Sequence, residues 1–126
     1  MKKEYYPTRK TFVKYDDEHY LLYLNEEIVD DYLPENAEEG TVPITAYAYS
    51  GTEGDGSTKI KATDATYAQF VSGLIRTQYS ADDVEAIVLN VQSNIPERMD
   101  EFQQKMDELN EFRQQCKDAI AQLILE

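Results

Sequence analysis

The spacing of apolar residues in this 126-residue chain changes its period near residue 64. Before that point, short segments rich in β-branched and aromatic residues alternate between apolar and polar positions, as strands with one buried face do. After it, apolar residues recur every three or four positions, which is the period of amphipathic helices. We therefore predict an α+β fold in one continuous domain, with antiparallel β hairpins in a β-rich part at residues 1–63 and helices at 64–126.

Four strands are predicted in the first part, at residues 11–15, 19–24, 42–49 and 58–62. A polar turn joins the first two strands as a hairpin, and a glycine-containing loop lets the fourth strand pair back on the third. The segment 25–33 is left open, because its apolar residues also fit one face of a helix.

Two short helices and one long C-terminal helix are predicted in the second part. Asp64 is the expected N-cap of the first helix and Ser80 that of the second, since short polar side chains satisfy free backbone N–H groups there. Pro96 suits the first turn of the third helix, which would extend to the C-terminus over roughly 45 Å at about 1.5 Å per residue. The apolar stripe of the third helix consists of Met99, Phe102, Met106, Leu109, Phe112, Cys116, Ile120 and Leu123.

The length of the third helix leaves two packing arrangements open. Such a stripe usually packs within its own domain, but the helix is longer than a compact domain of this size requires. Part of the stripe would then contact another subunit. The residues of this helix that we take as interface candidates are Phe102, Met106, Leu109, Phe112, Ile120 and Leu123.

Tyrosine is concentrated in the first half of the chain, which holds eight of the ten residues of this type. Tyrosine side chains offer a large contact area at low entropic cost and favour interfaces. Ordinary sheet packing and contact with a glycan are the alternatives, the former because tyrosine has a high strand propensity. The tyrosines that we take as interface candidates are Tyr15, Tyr20, Tyr23, Tyr47 and Tyr49.

The chain is strongly acidic, with 12 Lys and Arg against 25 Asp and Glu and a formal net charge of -13. Residues 16–55 contain acids but neither Lys nor Arg, whereas residues 1–15 are basic. This balance argues against binding to a nucleic acid backbone. The acidic segment is interpreted as a solvated surface or as a docking face for a basic partner.

No arrangement of residues typical of catalysis or metal binding is found in the sequence. One cysteine and one histidine, Cys116 and His19, exclude an internal disulfide, cysteine-rich zinc sites and two-histidine metal motifs. The loop at 51–59 lacks the Gly-Lys-Ser/Thr ending of a phosphate loop, and no stretch has the spacing of an EF-hand. We therefore predict that the protein is not an enzyme and has no cofactor or metal site.

Neither a membrane span nor a secretory signal is expected. No apolar run approaches the ~20 residues that a spanning helix needs. The N-terminal sequence MKKEYYPTRK lacks the apolar stretch of a signal peptide.

A resemblance to a known group of proteins covers about residues 67–120. The segment Ile75–Asn90, IRTQYSADDVEAIVLN, resembles an I-R-x-x-Y-S-x-D-D-E-x-A-I-x-x-N segment of small proteins encoded in the structural modules of tailed phages and prophages of gut bacteria. In those proteins a glutamate-rich helix with an E-F … Y/F-R-x-x-C-K run follows, and Glu111–Lys117, EFRQQCK, occupies that position here. Val84 departs from the pattern, which has an acid there.

This resemblance implies a non-enzymatic structural protein associated with the virion, or an assembly factor for tails or fibres. Its partners would be other phage structural proteins and further copies of the chain, in the virion or in the host cytoplasm during assembly. The alternative, favoured by the acidic segment 16–55, is an inhibitor that mimics nucleic acid or blocks a basic host-defence protein.

Overall fold

The computed structural model describes residues 1–125, so the last residue of the predicted helical part lies outside the described residues. The α+β fold is confirmed, because strands fill the N-terminal part and helices follow, the last of them long. The elements in chain order are β1 (Lys2–Tyr6), β2 (Phe12–Asp16), β3 (His19–Leu22), β4 (Glu27–Tyr32), β5 (Ile44–Gly51), β6 (Thr58–Lys61), α1 (Tyr67–Ile75), α2 (Ala81–Gln92), a 3-10 turn (Pro96–Arg98) and α3 (Met99–Leu125).

The chain divides into two compact units, here called the β unit (Met1–Lys59) and the helical unit, which begins at Ile60. This boundary lies four residues before the one that the change of period predicts, and it falls within β6. The strands form two sheets of three strands each, in the orders β1-β5-β4 and β2-β3-β6. The pairs β1–β5, β4–β5 and β2–β3 are antiparallel.

One predicted strand pairing is confirmed and another is wrong. The hairpin of β2 and β3 forms as expected, with Phe12 opposite Leu22 and Lys14 opposite Tyr20. The fourth predicted strand, β6, does not pair with β5, because β1 and β4 occupy both edges of β5. The sequence reading missed β1 altogether, and the segment left open at 25–33 supplies β4.

Small residues in the central strand of the first sheet leave room for side chains of its two edge strands to contact each other. Ala46 and Ala48 of β5 are completely buried. Tyr5 of β1 lies opposite Ala48, and Tyr32 of β4 lies opposite Ile44 on the same face. The two tyrosine rings stack above this face with their centroids 4.7 Å apart. Side chains larger than alanine at these positions would occupy the space that the stacked rings fill.

The helices of the helical unit begin at short polar residues. The N-cap of α1 is Thr66, whose side chain accepts from the backbone N–H of Gln69, so the prediction of Asp64 is wrong. Asp64 lies two residues too early, and its own N–H donates to Gln69 Oε1. Ser80 caps α2 as predicted, in a reciprocal capping box with Asp83.

The long helix α3 packs against α1 and α2 within the helical unit. Five members of its predicted stripe are buried, namely Phe102, Leu109, Cys116, Ile120 and Leu123. Gly73 of α1 faces β6 so closely that a Cβ atom there would lie 2.5 Å from the carbonyl oxygen of Lys61. Most of the stripe therefore packs within the helical unit.

Candidate functional site

Three of the five tyrosines predicted as interface residues belong to the interior. Tyr20, Tyr23 and Tyr49 are buried, Tyr47 is half-buried, and only the fifth, Tyr15, is widely exposed, with 56% of its surface accessible. The three buried tyrosines therefore have almost no exposed surface with which to form the predicted interface. Their concentration in the first half of the chain reflects the packing of the β unit.

Tyr49 is held by hydrogen bonds on both sides of its hydroxyl group. The hydroxyl donates to Glu26 Oε1 at 2.8 Å and accepts from the backbone N–H of Lys10, also at 2.8 Å. Arg9 binds the same carboxylate through two nitrogens, at 3.0 and 3.1 Å. Burial, and the bond to Glu26, raise the pKa of Tyr49 to about 12. The phenol is therefore a neutral, fixed donor near pH 7.

Tyr23 and Tyr6 converge on Asp55 in the loop between β5 and β6. The Tyr23 hydroxyl donates to Asp55 Oδ2 at 3.0 Å, and the Tyr6 hydroxyl donates to the Asp55 backbone carbonyl. Burial, together with the bond to Asp55, raises the pKa of Tyr23 to about 12. Burial also acts to raise the pKa of Asp55, but the bonds donated by Ser57 and Tyr23 outweigh it and lower that pKa. These hydrogen bonds fix the position of the loop between β5 and β6. The pKa of Tyr23 is raised and that of Asp55 is lowered, so both are shifted away from neutral pH and neither group suits proton transfer there.

Cys116 and His19, the single cysteine and the single histidine of the chain, are the side chains best suited to nucleophilic or acid–base chemistry. Cys116 is buried, and this burial raises the pKa of its thiol to about 11, so the thiolate that a nucleophile requires is not formed near pH 7. His19 lies in the β2–β3 hairpin with Nδ1 2.9 Å from Asp16 Oδ1. Within residues 1–125, no three His, Cys, Asp or Glu side chains are grouped so that they could hold a metal ion.

The interface candidates on α3 are mostly interior residues as well. Phe102, Leu109, Ile120 and Leu123 are buried within the chain. Met106 and Phe112 are half-buried, and the Phe112 ring contacts Tyr79 with centroids 5.6 Å apart. These positions therefore stabilise the helical unit.

The acidic segment 16–55 is partly neutralised by the basic N-terminus of the same unit. Lys3 pairs with Glu27 and Arg9 with Glu26, while Lys14 lies 3.6 Å from Asp17. The pKa of Lys3 is raised, chiefly by its bond to Glu27. At least three of the twelve acids in this segment are therefore paired with basic residues from the N-terminus.

The most exposed apolar strand among the described residues is β2, of which the sequence analysis named only Tyr15 as an interface candidate. All five of its residues are exposed, including Phe12 at 38%, Val13 at 47% and Tyr15 at 56%. It lies at an edge of its sheet, so one side of its backbone has no neighbouring strand in that sheet. The sequence signal was the run FVKYD, which has no clear alternation of apolar and polar residues.

A groove of about 360 Å³ lies between the three helices of the helical unit. Val71 and Ile75 of α1 and Val84 of α2 contribute apolar side chains, and Arg76 and Arg113 contribute guanidinium groups. A second groove, of about 390 Å³, runs between α2 and α3 and is lined by charges of both signs, including Lys105 and Glu108. β2 and the arginine-lined groove are the candidate binding surfaces of this protein.

In the part of the chain that the structure describes, no helix combines the length and the apolar character needed to cross a bilayer. Comparison of the chain with protein families, with curated proteins and with solved structures found no match.

Proposed function

We propose that this chain is a non-enzymatic structural or assembly component of a tailed-phage particle, associated with tails or fibres, that acts through protein–protein contacts. It would work in the virion or in the host cytoplasm during assembly. The phage origin is supported by the resemblance of residues 67–120 to small proteins of phage structural modules. The mode of action is supported by the exposed edge strand β2, which is the observation that carries the proposal.

The outer side of an edge strand can accept a strand of another molecule. Natural proteins usually protect such edges with charges, bulges or covering segments. In β2, Lys14 and a bulge between Lys14 and Asp16 are the protecting features, while Val13 and Tyr15 are exposed. Pairing with a strand of another molecule would bury these two side chains and extend the sheet by backbone hydrogen bonds.

The partner strand that fits best is β2 of a second copy. Antiparallel pairing about a two-fold axis at Tyr15 would place Lys14 of each copy opposite Asp16 of the other. Opposite charges that face each other across two strands stabilise the pair, so this register complements itself. A homo-oligomer built in this way could present its remaining surfaces to other particle proteins.

The mass of the chain in solution, measured by light scattering after size-exclusion chromatography, tests the proposal. The wild type should exceed the monomer mass of 14.5 kDa. Tyr15→Lys should return the chain to the monomer mass, because the two-fold axis places the two new lysines directly opposite each other, and like charges in that position are destabilising. The lysine lowers the net negative charge, so a loss of association could not be attributed to greater overall repulsion between acidic chains.

Leu89→Lys is the matched control, because Leu89 is also about half exposed but lies on α2. This variant should keep the wild-type mass. A wild type that stays monomeric at high concentration and forms no complex with tail or fibre proteins would contradict the proposal.

The alternative, an acidic inhibitor of a basic protein, is supported by the exposed acids that remain in residues 30–39. It is weakened by the ion pairs that Lys3, Arg9 and Lys14 make with acids of the same unit. If the chain is such an inhibitor, it should displace duplex DNA from a basic DNA-binding protein. If it is a structural or assembly component, no displacement should be measured.

A further inference from the structure

The arginine-lined groove of the helical unit combines an apolar floor with two cations in a chain of net charge -13. Val71, Ile75 and Val84 line it together with Arg76 and Arg113. From residue 60 onward the sequence has only six Lys and Arg against 12 Asp and Glu, so the meeting of two arginines at one groove is unexpected.

Among the described residues, neither arginine is paired with an acid. The ion pairs do not include Arg76 or Arg113, and the Arg76 guanidinium makes only a 3.5 Å contact, to the Tyr79 carbonyl oxygen. The sequence agrees, since no Asp or Glu lies three or four positions from either arginine. Arg98 differs, because it pairs with Glu101 three residues later. The two guanidinium groups of the groove are therefore available to an external anion.

We propose that this groove binds an acidic, amphipathic segment of a partner protein, with an apolar side chain on its floor and carboxylates against Arg76 and Arg113. Guanidinium groups bind carboxylates through paired hydrogen bonds, which fixes orientation as well as charge. The volume of about 360 Å³ is at the lower end of ligand-binding clefts, which suits one or two large apolar side chains. This inference rests on the proposed function, in that both take the chain to act by binding protein, and it adds the chemistry of the partner.

A labelled synthetic peptide with Leu and Glu placed at helical spacing is the probe, and its binding is followed by fluorescence polarisation. The wild-type chain should bind this peptide saturably and more weakly as ionic strength rises. Arg76→Gln and Arg113→Gln should each weaken binding about three- to tenfold, and the double variant should abolish it. Arg98→Gln is the matched control and should bind as the wild type does.

The same peptide with Gln in place of every Glu tests the role of the carboxylates without changing the protein. It should bind at least about tenfold more weakly, since charge-assisted hydrogen bonds are lost. The inference is overturned if both peptides bind equally, if the double variant binds like the wild type, or if no binding is seen. Displacement of the peptide by inorganic phosphate as effectively as by unlabelled peptide would also overturn it, since the groove would then accept any anion.

Tyr15→Lys separates this inference from the proposed function. The groove lies in the helical unit and Tyr15 in the β unit, so this variant should bind the peptide normally. Peptide binding by a chain whose mass does not respond to Tyr15→Lys would contradict only the pairing of β2. An oligomeric wild type that binds no peptide would contradict only the groove.

Discussion

Removal of one buried hydroxyl group, in Tyr49→Phe, tests whether the tyrosine cluster stabilises the β unit. The side chain is only 1% exposed, and its hydroxyl has bonds to the Glu26 carboxylate and the Lys10 N–H. A bond to a charged group contributes about 1.5–3 kcal/mol and a neutral one about 1 kcal/mol. Because Arg9 still binds Glu26 in the variant, we take the lower part of this range. The free energy of unfolding should fall by about 2.5–3 kcal/mol.

Urea denaturation followed by the tyrosine signal measures this change. The chain has no tryptophan, and eight of its ten tyrosines lie in the first half, so the signal reports mainly on the β unit. Tyr15→Phe is the control, because Tyr15 is exposed and its loss should change the free energy of unfolding by less than about 0.5 kcal/mol. If Tyr49→Phe lowers the free energy of unfolding no more than this control does, the hydrogen bonds of the Tyr49 hydroxyl do not stabilise the β unit.

Two further predictions concern the packing of α1 and the response to alkaline pH. Gly73→Ala should lower the melting temperature although alanine favours a helix by about 1 kcal/mol, because its Cβ would lie 2.5 Å from the Lys61 carbonyl oxygen. Ser72→Ala on the same helix is the control, and an unchanged melting temperature for Gly73→Ala would refute the close approach. Burial raises the pKa of Tyr23 and Tyr49 from 10.0 to about 12, so the unfolded state loses these protons first. The free energy of unfolding should therefore stay constant up to about pH 10 and fall towards pH 12. In an absorbance titration of the folded chain, the phenols of Tyr23 and Tyr49 should lose their protons at a higher pH than ordinary phenols do. Ten phenols that titrate together would contradict this.

The helical unit could be predicted closely, because the signals that define its helices are local. The capping box of Ser80 and Asp83 involves residues three positions apart. The stripe of α3 follows from the helical period, and its central members Phe102 and Leu109 are buried as the period requires. The misplaced cap at Asp64 was an error of two residues in the same kind of local signal.

The segment 25–33 could not be assigned because a bulge in β4 breaks the two-residue alternation of a strand. Asp31 has a φ of +55°, and the register shifts between Val29 and Tyr32. Val29 and Tyr32, three positions apart, consequently pair with residues on the same face of β5. A separation of three is also the spacing of one helical face, so the local pattern fits both structures.

Local residue patterns were enough to assign the period of each half, the hairpin of β2 and β3, and the cap of α2, because each depends on neighbouring residues. The tertiary fold was needed to show that β1 and β4 flank β5, that Tyr49 is buried, and that β2 lies at an edge. It also brought together Arg76 and Arg113, which are 37 positions apart, at one groove. Strand order, burial and surface shape arise from contacts between distant segments, and a local pattern of apolar residues carries no information about which segments meet.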